Sequence, residues 1–155
     1  MKNLHLLLLF LLFPFIGSAS PKVFSGTYVD ANDPNIPADF AYQGEYAGSG
    51  MGAQVIALDK GAFQVVLFPG GLPGAGWDGK NRSLLNGKLE GKKVALSPAK
   101  GNRKYLAGSP DAFSATRKFP PDGHKPYSGS LSNGIISLSK GIVLKKTQRK
   151  SPTMG

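Results

Sequence analysis

From residue 40 onward, short apolar runs alternate with glycine-bearing turns at hairpin spacing. Residues 40–47 read as a strand that ends in the turn Gly48-Ser49-Gly50. Residues 53–58 and 62–68 read as a hairpin around Asp59-Lys60-Gly61, and residues 83–89 and 93–96 as a second around Glu90-Gly91-Lys92. Residues 127–131 and 135–138 make a third, with Asn133-Gly134 supplying the positive φ of a tight turn. Ser139-Lys140-Gly141 then leads into a last strand over 142–146. No window longer than about ten residues shows helical periodicity. The expectation is an all-β domain, a small antiparallel barrel or sandwich of hairpins with long Gly/Pro-rich loops. Its core candidates are Tyr42, Tyr46, Val55, Ile56, Leu58, Phe63, Val65, Leu67, Leu89, Val94, Leu96, Leu131, Ile135, Leu138, Val143 and Leu144.

Two long connections interrupt the hairpins. Residues 69–80 hold Trp77 and Asp78 among glycines and prolines and cannot be regular structure. Residues 98–126 are basic and polar at their ends, with a short strand expected around 113–116. Upstream, residues 20–39 are rich in turn formers and read as an irregular lead-in; residues 147–155 read as a linker-like tail. Residues 1–19 have the pattern of a signal peptide. One lysine precedes an apolar run over 4–16, and Gly17-Ser18-Ala19-Ser20 offers small residues for cleavage. That run is short for a membrane span, so the expected location is secreted or periplasmic, with no span after cleavage. The β-rich domain is placed at 40–146.

Composition narrows the chemistry. The 155 residues contain no Cys, which removes thiol nucleophiles, disulfide scaffolds and Cys-type zinc sites. His5 leaves with the signal, so His124 alone remains, which argues against a His-rich metal site and a Ser-His-Asp triad. Neither a metal nor a cofactor is expected. Charge is uneven: residues 20–79 hold two Lys and six acids, and residues 80–155 hold sixteen Lys plus Arg and three acids. Such asymmetry marks either an anion-binding half or two halves of one sheet system that face each other. Specific nucleic-acid binding is not expected, because the basic residues are dispersed.

Gly48-Ser49-Gly50-Met51-Gly52 lacks the following helix that a phosphate-binding loop needs, and reads as hairpin glycines. Asn81-Arg82-Ser83 fits the N-glycosylation pattern. The most informative stretch is the loop around Trp77-Asp78. The indole could stack on a sugar ring while the carboxylate accepts hydroxyl hydrogen bonds, or Trp77 could fold back as a core plug. Glu45, Asp78 and Glu90 are the imaginable acids for glycoside hydrolysis, but their spacing singles out no pair. The candidate ligand-binding residues are therefore Trp77, Asp78 and Glu45, and no catalytic residue is assigned.

Tyr42-Gln43-Gly44-Glu45-Tyr46-Ala47-Gly48, the run FQVVLFPGGLPGAGWDG over 63–79, RKYLAG over 103–108, FSAT over 113–116, Leu144-Lys145-Lys146 and RKSPTMG over 149–155 carry a resemblance. Together they resemble the N-terminal module of secreted bacterial proteins in the 3-keto-disaccharide hydrolase family. In that family the equivalent of RKSPTMG leads into a concanavalin-like sandwich, the domain associated with sugar hydrolysis. The resemblance covers 40–155 and implies a module truncated before the hydrolase domain, so no catalytic residue carries over. It implies a non-catalytic accessory module that binds glycan weakly or packs on a hydrolase domain. Two other readings stay open: a basic anion-binding secreted protein, and a small glycoside hydrolase using Glu45 or Asp78. The oligomeric state is left open.

Overall fold

A computed structural model describes residues 34, 36–58, 60–100 and 119–148. Eight strands follow one another around a closed antiparallel barrel: β1 Gly44–Gly48, β2 Met51–Ala57, β3 Ala62–Pro69, β4 Ser83–Glu90, β5 Lys93–Pro98, β6 Gly129–Ser132, β7 Ile135–Leu138 and β8 Ile142–Thr147. Each strand pairs with its sequence neighbours, and β8 closes on β1 through Tyr46↔Lys146 and Ala47↔Lys145. Of the two expected architectures, the barrel is the one formed. Its closure leaves no unpaired edge among the described strands.

Four hairpin connections hold two successive residues at positive φ: Ser49-Gly50, Lys60-Gly61, Asn133-Gly134 and Lys140-Gly141. Such turns match the twist of the strands they join. The chain enters β1 differently from the expectation. Residues Ala38–Tyr42 form a 3-10 turn after Pro37, with Phe40 N–H donating to the Pro37 carbonyl at 2.9 Å, so the strand starts only at Gly44. β2 begins at Met51, two residues early, because Met51 pairs with Gly48 directly across the turn. β6 begins at Gly129 rather than 127, and the strand expected at 113–116 lies outside the described residues.

Strand alternation builds the interior. Tyr46, Val55, Phe63, Val65, Leu67, Leu85, Val94, Leu131, Ile136 and Leu144 meet inside the barrel. The Tyr46 hydroxyl donates to the Tyr42 carbonyl at 2.6 Å. Burial, followed by the neighbouring Tyr42, pushes the Tyr46 hydroxyl up to about 12. Tyr42 also meets Phe63 edge-on at 5.9 Å, so the 3-10 turn packs against the core.

The core expectations need correction on β7 and β8. Ile135 and Val143 are 40% and 42% exposed, and their neighbours Ile136 and Leu144 point inward and pair across the two strands. Adjacent apolar residues leave the parity of a strand open, and pairing with β6 resolves it. Ile56 and Leu58 are only partly buried, Ile56 lying against a second cluster on the outside. That cluster arises because β3 is apolar on both faces. Val66 and Phe68 point out of the barrel and pack with Leu72, Leu84 and Ala99, under Trp77 and Phe119.

Candidate functional site

The outer cluster explains the long connection after β3. The backbone turns back at Leu72, whose carbonyl accepts from Ala75 at 2.7 Å and from Trp77 at 3.4 Å. Gly70 N–H reaches the Gly50 carbonyl at 2.9 Å and ties the loop to the β1–β2 turn. Gly52 on β2 makes room for this return: a Cβ there would lie 2.6 Å from the Gly71 carbonyl carbon and the Leu72 nitrogen. Leu72 is thereby buried, and Trp77 is delivered to the edge of the cluster.

Trp77 is partly buried and held at several points. Its indole N–H donates to the Asn81 carbonyl at 2.6 Å, its ring meets Phe68 edge-on at 4.9 Å, and the Arg82 guanidinium carbon stands 4.8 Å from the ring centroid. The last distance is within cation–π range. Asp78 is exposed and accepts from the backbone N–H groups of Lys80 and Asn81, each at 2.8 Å, and from the Asn81 side-chain amide. These bonds, the backbone pair first, hold its carboxyl below the usual range. Asp78 thus fixes Asn81, and Asn81 fixes the indole. The loop is a closed hydrogen-bonded unit.

A second loop supports it from below. Arg82 N–H donates to the Asp122 carbonyl at 2.9 Å, and Lys125 N–H donates to Ser83 Oγ at 2.9 Å. His124 Nδ1 accepts from Leu84 N–H at 3.3 Å, while its ring lies 5.4 Å from Phe119. Burial lowers the His124 pKa and so favours the neutral ring, whose Nδ1 accepts the Leu84 N–H. The glycosylation pattern at 81–83 falls in this joint, with Ser83 buried and the Asn81 amide bonded to Asp78.

Glu45 lies elsewhere. Tyr46 points inward, so Glu45 is on the outer face of β1, directly across from Gln54, whose amide donates to Glu45 Oε1 at 3.3 Å. The polar and ring partners of Trp77 and Asp78 are Phe68, Lys80, Asn81 and Arg82, and Glu45 is not among them. The structure therefore joins two of the three candidate residues and leaves the third apart. Sequence reasoning missed Asn81 and Arg82 as Trp77's partners; their place at the end of the same loop was the available signal. Gly48-Ser49-Gly50 closes the β1–β2 hairpin, with Ser49 Oγ bonded to both the N–H and the carbonyl of Val143 at 3.1 Å.

Among the described residues, no group of three or more His, Asp or Glu is placed to hold a metal ion, and no helix is long and apolar enough to cross a membrane. No family model, curated protein or solved structure matches the chain.

Proposed function

We propose that the chain is a non-catalytic accessory barrel of a secreted or periplasmic carbohydrate-processing protein. It is of the kind that its resemblance to 3-keto-disaccharide hydrolases implies, and it meets a glycan or a hydrolase domain through the rim around Trp77 and Arg82. The observation that carries this reading is the state of Asp78. A general acid for glycoside cleavage needs a raised pKa beside a partner carboxylate. Asp78 instead is exposed, held low, and bonded through its carboxylate to its own loop. Glu45 is bonded to Gln54 across the sheet. The chemistry of the rim is that of a contact: a fixed indole, a guanidinium and a carboxylate side by side.

Trp77 is the single tryptophan, so its fluorescence reports on this rim directly. Titration with neutral oligosaccharides, and separately with a purified hydrolase domain, is expected to give a saturable change with one of them. An emission unchanged by both would contradict the proposal.

A further inference from the structure

Strand order around the barrel follows the sequence, so the uneven charge along the chain becomes an uneven charge around the cylinder. β5 to β8 are consecutive neighbours and form half of the circumference. Over 93–100 and 119–148 the described residues contain six Lys and a single carboxylate, Asp122, which lies in the loop before β6. The strands themselves carry no acid. Lys93, Lys125, Lys140 and Lys145 are exposed, and the acid nearest the wall in the register is Glu90 on β4, opposite Lys93.

The register arranges this wall in rows. One outer row runs Ala95, Ser130, Ser137 and Val143 across β5, β6, β7 and β8. In the next, Ser132 pairs with Ile135 and Ile135 with Lys145, while Lys93 stands beside Ser132, one residue on from the Val94↔Leu131 pair. Lys93 and Lys145 thus end a row three strand spacings wide, about 14 Å. Between them lie only small hydroxyl and aliphatic side chains.

We propose that the β5–β8 wall binds an acidic polysaccharide, a linear chain of hydroxylated, carboxylate-bearing sugars. Lysines at both ends of the row meet separated carboxylates, and Ser132 together with Ser130 and Ser137 of the adjacent row meets hydroxyls between them. The wall suits this partner better than others. β5 to β8 contain no aromatic or Arg to stack on nucleic-acid bases, and Ile135 and Val143 lack the bulk of bilayer-inserting anchors. The surface is also separate from the Trp77 loop, which joins β3 to β4 across the closed strand order.

The test is binding of the purified chain to polygalacturonate, with dextran, single-stranded DNA and phosphatidylglycerol vesicles as the other arms. The expected result is binding to polygalacturonate in preference to all three, weakening with salt by about 0.7 log unit per log unit of salt for each lysine engaged, as for other flexible polyanions. Lys93→Gln with Lys145→Gln should lower affinity about tenfold or more, and Ser137→Glu should do the same from the middle of the adjacent row. Lys60→Glu, which removes as much net charge from the β2–β3 turn, should stay within about twofold. Circular dichroism melting confirms that each variant is folded. Equal losses from Lys60→Glu, tighter binding to vesicles or DNA, or no binding to polygalacturonate would overturn the assignment.

Discussion

Trp77 shows how one side chain serves two ends. Its ring seals the outer cluster against Phe68, and its N–H is spent on the Asn81 carbonyl, so only the remaining surface would be open to the proposed partner. Replacement by Ala should therefore destabilise the barrel by about 2–3 kcal/mol, somewhat below the loss of a fully buried aromatic residue. Trp77→Phe keeps most of the packing and loses the hydrogen bond, and should cost about 1 kcal/mol. Urea denaturation followed by circular dichroism separates the two. His124 makes a prediction of its own at this scale. Burial lowers its folded pKa, so the unfolded chain binds the proton first as pH falls. Its contribution is fully present above about pH 6.5, the unfolded value, and is lost as pH falls from there through the lowered folded value. Denaturation midpoints measured from pH 7.5 downward to about 5 should decline in the wild type. The decline should be shallower in His124→Asn, which keeps an acceptor for Leu84 N–H without a titrating ring.

At the scale of elements, the loop after β3 is positioned by what β2 lacks. A side chain at Gly52 would meet the backbone of Gly71 and Leu72. Gly52→Val should lift that segment, expose Leu72 and Trp77, shift the tryptophan emission to longer wavelength and cost about 1–3 kcal/mol, the range for overpacking. An unshifted emission would show that the loop is held from elsewhere. Some of this level was legible in the residues. Asn133-Gly134 and Lys60-Gly61 announce their hairpins, because a tight turn needs positive φ and few residues adopt it. The inward set on β3 follows from alternation through Phe63, Val65 and Leu67. The outer cluster was not legible, since a run apolar on both faces does not say what covers its second face. For the same reason the Trp77 loop left two readings open, a sugar platform and a plug.

For the whole molecule, the decisive event is the pairing of β8 with β1, which joins residues about a hundred positions apart. No local pattern encodes that pairing, so barrel and sandwich stayed equal in the sequence. Closure also makes the fold depend on its last strand. Deleting 142–147 would uncover the edges of β1 and β7 and remove Leu144 from the core, and the product should be unfolded or aggregated by size-exclusion chromatography. A monomeric, folded product would mean that the barrel tolerates an open edge.

Turnover tests most directly the proposal that this barrel binds and does not catalyse. The purified chain is incubated with a panel of disaccharides and 3-keto-disaccharides, with and without divalent metals. The expected result is hydrolysis at the uncatalysed background throughout, because Asp78 and Glu45 are committed to hydrogen bonds within the fold. Turnover that co-purifies with the protein and disappears in Asp78→Asn or Glu45→Gln would contradict the account and place an active site in the barrel.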